Sequence, residues 1–226
     1  MTKVAICQSN YIPWKGYFDI IALSDIFVIY DEVQYTKNDW RNRNIIKTHN
    51  GNQWLTIPVK FENLSQKICD TKIATTNWNK KHLNSLIVNY SKAPNFLDFK
   101  EILFELYETP GLYLSDINLK FITSICSYLK IDTKIIDSRE LNLIGDKNEK
   151  LIDACEKLSA NTYISGPAAK EYINQDLFEQ SKINLEWMDY TNYKEYSQLF
   201  EPFSHNVSII DLLLNTGRNS RNFLKY

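Results

Sequence analysis

Glycine is scarce in this chain, with six in 226 residues. No G-x-G-x-x-G and no G-x-x-x-x-G-K-[ST] occurs, so the dinucleotide and P-loop phosphate cradles are excluded as read from their fingerprints. No G-x-S-x-G elbow marks a serine hydrolase. Cysteine is sparse too. Cys7, Cys69, Cys126 and Cys155 stand far apart, with no C-x-x-C and no Cys/His ligand spacing, so no metal site is expected. Their scatter, three of them in apolar patterns, reads as buried thiols of a reducing compartment. No apolar run is long enough to span a bilayer, and Met1-Thr2-Lys3 leads into a strand without a signal-like core, so no membrane insertion and a cytoplasmic location are expected. Charge of one sign is lacking as well. Lys and Arg number 26 against 27 Asp and Glu, which argues against nucleic acid as a partner.

What is present is an apolar content of 44%, enough for a sizeable core. Its organisation begins at Val4–Trp54. Val4-Ala5-Ile6-Cys7 reads as a strand that stops at Gln8-Ser9-Asn10. A turn, Tyr11 to Gly16, leads into a short helix at Tyr17–Leu23, and Ile26–Tyr30 reads as a second strand ending in Asp31-Glu32. Strand, helix, strand is the βαβ pattern, whose parallel strands put their C-terminal ends on one edge of the sheet. Ligands of open α/β sheets bind at that edge. Gln8, Asn10, Lys15, Asp31 and Gln34 are therefore expected to converge on one crevice. The fold expected is α/β over 1–226 as one domain, with a mostly parallel sheet, helices on both faces and an inserted β-hairpin arm.

That arm follows Asp31. Arg41, Arg43 and Lys47 make it basic, and Asn50-Gly51 signals a hairpin joining Arg43–Thr48 to Gln53–Val59. Guanidinium forks suit phosphate, so Arg41 and Arg43 are candidate anion contacts. Beyond an extended piece at Ser65–Thr75, helices are expected at Trp78–Lys92, Phe96–Tyr107 and Leu114–Leu129, the last with Asp116 as N-cap, and at Lys147–Leu158. His82, on the first of these, is a candidate acid/base group because imidazole titrates near neutrality. Strands are expected at Thr133–Asp137 and Ile183–Trp187. Another strand ends at Ile164 and runs into Ser165-Gly166-Pro167, where proline opens a helix whose N–H groups would face an anion. Ser208–Asn215 reads as a buried helix.

Taken together, Gln8 to Asp19, Asp31 to Tyr35, Trp40 to Asn44, Ser165 to Lys170 and Asp211 to Asn215 resemble the WbqC-like protein family over nearly the whole chain. The resemblance implies a setting in bacterial O-antigen and other surface-polysaccharide biosynthesis, with glycine transfer to a sugar as one proposed role. It supplies no catalytic set. With amide and aromatic groups to hold a sugar and Lys15, Arg41 and Arg43 to hold a diphosphate, the resemblance implies a transferase for a nucleotide-linked or lipid-linked amino sugar, by acyl or aminoacyl transfer, with its cofactor left open. Asp31, Glu32 and His82 are the candidates for taking a proton from the attacking amine. Gln8, Asn10, Tyr11, Trp14, Lys15, Gln34, Tyr35, Trp40, Arg41, Arg43, Ser165 and Gly166 are the candidates for holding substrate. The rival readings are a non-catalytic sugar-nucleotide-binding protein and an adenylate-forming or nucleotidyl-transfer enzyme. The second shares the strand–turn–helix opening but lacks its H-x-G-H pair, with Trp14, Lys15, Tyr17 and Phe18 around Gly16.

Overall fold

A computed structural model describes residues 1–226. The elements in chain order are β1 (Lys3–Cys7), α1 (Lys15–Ala22), β2 (Ile26–Ile29), β3 (Arg43–Thr48), β4 (Gly51–Thr56), α2 (Trp78–Tyr90), α3 (Phe96–Leu106), α4 (Leu114–Leu129), β5 (Lys134–Asp137), α5 (Lys147–Lys157), β6 (Thr162–Ser165), α6 (Gln175–Gln180), β7 (Asn184–Trp187) and α7 (Ile209–Thr216). No helix is long and apolar enough to cross a membrane.

Five strands form one sheet in the order β5-β2-β1-β6-β7, and every neighbouring pair is parallel. Val4 lies opposite both Ile26 and Tyr163, so β1 is the central strand. Side chains alternate across a strand, and here both faces are covered. Ala5, Phe27, Ile29 and Ile164 turn to a large core shared with α1, α2, α3, α4 and α7. Val4, Ile6, Val28 and Tyr163 turn to a smaller core with α5 and α6. Burial on both faces explains why the strands are continuous apolar runs rather than alternating ones. The expected α/β fold with its parallel sheet is what the chain adopts.

The hairpin β3–β4 is separate from this sheet and antiparallel. It is packed down, with Ile46 and Leu55 in the large core. Its turn is displaced by one residue from the expected one. Thr48 pairs with Gly51, so His49 and Asn50 are the central residues, and Gly51 follows with φ 94°. Asp116 is also displaced. α4 starts at Leu114 behind Tyr113, which makes no side-chain cap, and Asp116 sits in the first turn, where a carboxylate faces the positive helix end. Pro167 opens a short 3₁₀ turn, Pro167–Glu171, instead of an α-helix. α6 was not expected from the sequence; Asn174 caps it, its side chain accepting from the Asp176 N–H at 3.2 Å. Residues 58–77 form isolated bridges such as Val59 with Ile73, not a strand.

Candidate functional site

The chain runs from β1 outward through β2 to β5, then returns to the other side of β1 for β6 and β7. Loops leaving β1 and β6 therefore diverge, which opens a crevice at the C-terminal edge of the sheet. A cavity of ≈ 590 Å³ lies there, lined among others by Gln8, Gln34, Lys147, Lys150, Ser165 and Gly166. Gly166 has an extended backbone (φ −71°, ψ 153°), and a Cβ built on it would meet only the Tyr190 ring, at 3.7 Å. Its conformation thus does not demand glycine; what its missing side chain leaves is open space on the rim. The start of α5 forms the opposite wall. A reciprocal cap closes that helix end: the Asp146 side chain accepts from the Asn148 and Glu149 N–H groups, and Glu149 accepts from the Asp146 N–H. The Lys147 ammonium stands 3.5 Å from the centre of the Tyr172 ring, which also lines the cavity. Cys7 reaches the crevice as well, but burial pushes its thiol up to about 11, against the pull of Arg41, so it stays protonated at neutral pH.

The stretch Gln8-Ser9-Asn10 divides its side chains between two places. Gln8 faces the crevice, whereas Ser9 is fully buried against Asp31. The Ser9 N–H donates to Asp31 Oδ1 at 2.8 Å and its hydroxyl to Oδ2 at 2.6 Å. Ser115 Oγ donates to the same Oδ2, and Asn118 Nδ2 donates to Ser9 Oγ at 3.0 Å. Asp31 is 1% exposed. Burial raises its carboxyl above the ordinary 3.8, opposed by these bonds and by Arg41. The structure thus gives Asp31 to fastening the loop after β1 onto α4, away from the crevice wall. Glu32 is half-buried and accepts from Ser138 Oγ at 3.0 Å.

Asn10 faces a second hollow of ≈ 520 Å³, lined by Asn10, Pro13, Trp14, Trp40, Asn44, Ile45 and Asn206. Three distant segments meet here and are stitched together. Tyr11 N–H donates to Trp40 O at 3.0 Å, Ser208 N–H to Ile45 O at 2.7 Å and Ile209 N–H to Pro13 O at 2.9 Å. Asn44 Nδ2 donates to the carbonyls of Tyr11 (3.1 Å) and Ile12 (2.9 Å). Ile12 is buried with φ 36°, a strained conformation for a β-branched residue that only such over-determined surroundings maintain. The two cavities are one ring apart. Tyr190 touches the position of a Gly166 side chain and packs edge-on against Trp14 at 5.1 Å.

The other sequence-predicted residues lie elsewhere. His82 is buried between Tyr11 and Thr56. Its Nε2 is 3.2 Å from the Thr56 carbonyl, which fixes the N–H there. Nδ1 then accepts from Tyr11 OH at 2.9 Å, and Tyr11 accepts from Tyr107 OH at 2.5 Å. Burial pulls the His82 imidazole down to about 4, with the Thr56 bond opposing, so it is neutral and faces neither cavity. Lys15 is buried under the Tyr193 ring (4.5 Å) and donates to the Lys194 carbonyl at 3.3 Å. Its amine is pulled down to about 8 by burial, against Asp19. Arg41 donates to Asn10 Oδ1, and the Arg43 guanidinium lies 4.1 Å from the Trp54 ring. Lys47 Nζ donates to the Pro202 carbonyl. Tyr35 is buried against Phe61. The structure thus brings Gln8, Gln34, Ser165 and Gly166 together in the crevice, and Asn10, Trp14 and Trp40 in the hollow.

Lys147, Lys150 and Tyr172 in the crevice, and Asn206 in the hollow, were missed by sequence reasoning. The D-x-x-E capping box at Asp146–Glu149 was the available signal: it marks a helix start on the element that precedes β6.

Comparison with known proteins agrees over the whole length. The chain is 45% identical over 228 residues to the uncharacterized protein Rv1507c of Mycobacterium tuberculosis, covering 100% of this chain and 99% of that protein. No solved structure matches it. The WbqC-like family model matches residues 8–223, which include all of the hollow, the crevice lining apart from Ile6 and Cys7, and the Asp31 anchor between them, and the chain belongs to the WbqC-like protein family.

Proposed function

We propose that this protein is a biosynthetic transferase acting on a nucleotide-linked or lipid-linked amino sugar in surface-polysaccharide assembly, adding an acyl or aminoacyl group such as glycyl. Membership of the family suggests the polysaccharide setting. The observation that carries the reading is the crevice between β1 and β6, with Lys147 and Lys150 on one wall and the side-chain-free rim at Gly166 on the other. Lysine ammonium groups suit a diphosphate, which nucleotide-linked and lipid-linked sugars share. Gln8, Gln34 and Ser165 supply neutral hydrogen bonds beside it. Asp146 lines the crevice but is engaged in the α5 cap, so Glu32, next in chain to the crevice residues Val33 and Gln34, is the carboxylate assigned to take the proton when the sugar amine attacks an activated acyl donor. The new amide bond forms as the donor's leaving group departs with its bonding pair. Asp31 and His82 act as positioning groups, through Ser9 and Tyr11.

The test is calorimetric titration of a nucleoside-diphosphate amino sugar. Replacing both Lys147 and Lys150 by Ala is expected to weaken binding about 100-fold, since a charge-assisted hydrogen bond contributes roughly 1.5–3 kcal/mol. Unchanged affinity would remove the crevice from the reading. A second reading, non-catalytic binding, is favoured by the protonated Cys7 and the fully bonded Asp31 and His82. A mass gain of the amino sugar incubated with protein, glycine and ATP decides for the transferase; an unchanged mass with intact binding decides for the binder.

A further inference from the structure

We infer that the second hollow is a seat for an uncharged carbohydrate ring, separate from the lysine-bearing crevice. Its lining holds two indoles and three carboxamides and not one ionisable side chain. Such a lining offers no positive charge to phosphate or carboxylate. It offers a saccharide both things it needs: aromatic faces for the C–H side of the ring and amides for its hydroxyls.

Three observations point to a built site. First, Trp40 is 43% exposed and yet held in place. It packs on Trp54 at 5.4 Å with a 37° tilt, and Trp54 is backed by the Arg43 guanidinium. An indole pair kept ordered at the surface is a ready stacking platform. Second, one amide is held in place and another is free. Asn44 is consumed in holding the floor, and Arg41 occupies the oxygen of Asn10. Asn10 Nδ2 and the Asn206 side chain make no hydrogen bond within the chain, so a donor and a complete amide remain for a ligand. Third, the strained turn at Ile12 puts Asn10 on one side and Pro13-Trp14 on the other side of the same hollow, and the Asn44 bonds hold it there. Backbone strain kept by surrounding bonds is a feature of ligand sites.

The seat deepens the transferase reading, on which it rests only for the claim that the bound ring is substrate. A neutral sugar in the hollow and the diphosphate-linked amino sugar in the crevice would then lie on the two sides of Tyr190, so this ring sets how far apart the two must be.

The test uses glucose and N-acetylglucosamine as neutral probes and a nucleoside diphosphate as the charged one, followed by the indole N–H resonances of the five tryptophans. The saccharides are expected to shift the Trp14 and Trp40 signals, and Trp40→Ala to weaken this at least tenfold. Trp40→Phe, which keeps an aromatic face, should retain affinity within about threefold. The Lys147→Ala, Lys150→Ala protein should bind the saccharides normally. Saccharides that leave Trp40 unmoved at tens of millimolar, or that lose binding in the lysine variant, would overturn the inference. Saccharide binding with no nucleotide binding would leave the seat standing and remove the transferase reading. Nucleotide binding with an unresponsive Trp40 would do the reverse.

Discussion

The crevice and the hollow lie on opposite sides of one short stretch, Gln8-Ser9-Asn10, and they are made by different means. The crevice follows from the order of strands: any chain that leaves β1 in one direction and returns on the other side opens a gap there. The hollow follows from individual hydrogen bonds among three segments that lie far apart in the chain. One cavity carries lysines, the other amides, indoles and two aliphatic side chains but no charge. A site set by topology tolerates change in its walls, whereas a stitched site depends on each stitch. The two should therefore respond differently to salt. Ligand affinity in the crevice should fall as ionic strength rises, and that in the hollow should not.

The largest effect should come from the one feature both cavities share. Asp31→Ala leaves the Ser9 N–H, the Ser9 hydroxyl and the Ser115 hydroxyl without their buried acceptor. At roughly 1–3 kcal/mol for each orphaned group, denaturant unfolding should show a loss of at least about 3 kcal/mol. Both ligand classes should lose affinity together. Loss of one class alone would mean that Ser9 does not couple the two cavities.

Acid should separate the cavities. The folded pKa of His82, about 4, lies below its ordinary 6.5. Between those values the unfolded chain binds a proton that the folded chain refuses. The His82 contribution is complete above about pH 6.5 and is lost as pH falls toward 4, by roughly 3 kcal/mol. The buried carboxyls of Asp31 and Asp211, raised by burial, give a slope of the opposite sign. They are present in both proteins, so the difference between wild type and His82→Gln isolates the histidine. Equal acid slopes would show that His82 does not titrate as its burial demands. Because His82 holds Tyr11, and Tyr11 N–H holds Trp40, saccharide binding should fail at a higher pH than nucleotide binding.

Two glycines give the smallest and sharpest contrast. A Cβ at Gly16 would lie 2.4 Å from the Trp14 ring, so Gly16→Ala must push the indole and should cost about 1–3 kcal/mol, with loss confined to the hollow. Gly166→Ala meets only the Tyr190 ring at 3.7 Å and should leave the melting temperature unchanged. If a ligand does approach the Gly166 backbone, nucleotide affinity should still fall. Full affinity in that variant would take the rim out of the site.

The same division explains what could be read from the sequence. The sheet and the gap beside β1 were legible, because apolar runs and the polar trio after Cys7 are local signals. α4 appears over Leu114–Leu129 as its period requires. The role of His82 was hidden by a rotation of one position. By sequence, Leu83, Leu86, Ile87 and Tyr90 give α2 an apolar stripe at helical spacing, but its buried residues are Trp78, Asn79, His82, Leu86 and Tyr90, a face that runs through His82. A histidine on that face is core, and the polar text around it, Lys80-Lys81, disguised the fact. The hairpin slipped because Gly51 takes its positive φ just after the turn, with Thr48 Oγ1 accepting from Asn50 N–H and donating to the Gly51 carbonyl. The hollow was legible only in part: Asn10, Trp14 and Trp40 stand out as candidates for holding substrate, but Asn206 is brought to them only by bonds of the tertiary structure.

The central place of β1 has a consequence for synthesis on the ribosome. Lys3, Val4 and Ala5 find their second set of partners in Thr162, Tyr163 and Ile164. At about 5–20 residues per second, roughly 8–30 s separate the emergence of the two strands. Throughout that interval one border of an apolar strand stays open to other chains, the exposure that favours edge-to-edge aggregation. The crevice has only one bank until β6 docks. A nascent chain halted before residue 162 should therefore recruit chaperones and ignore nucleotide, and capture of ligand would report that the second half of the sheet has closed.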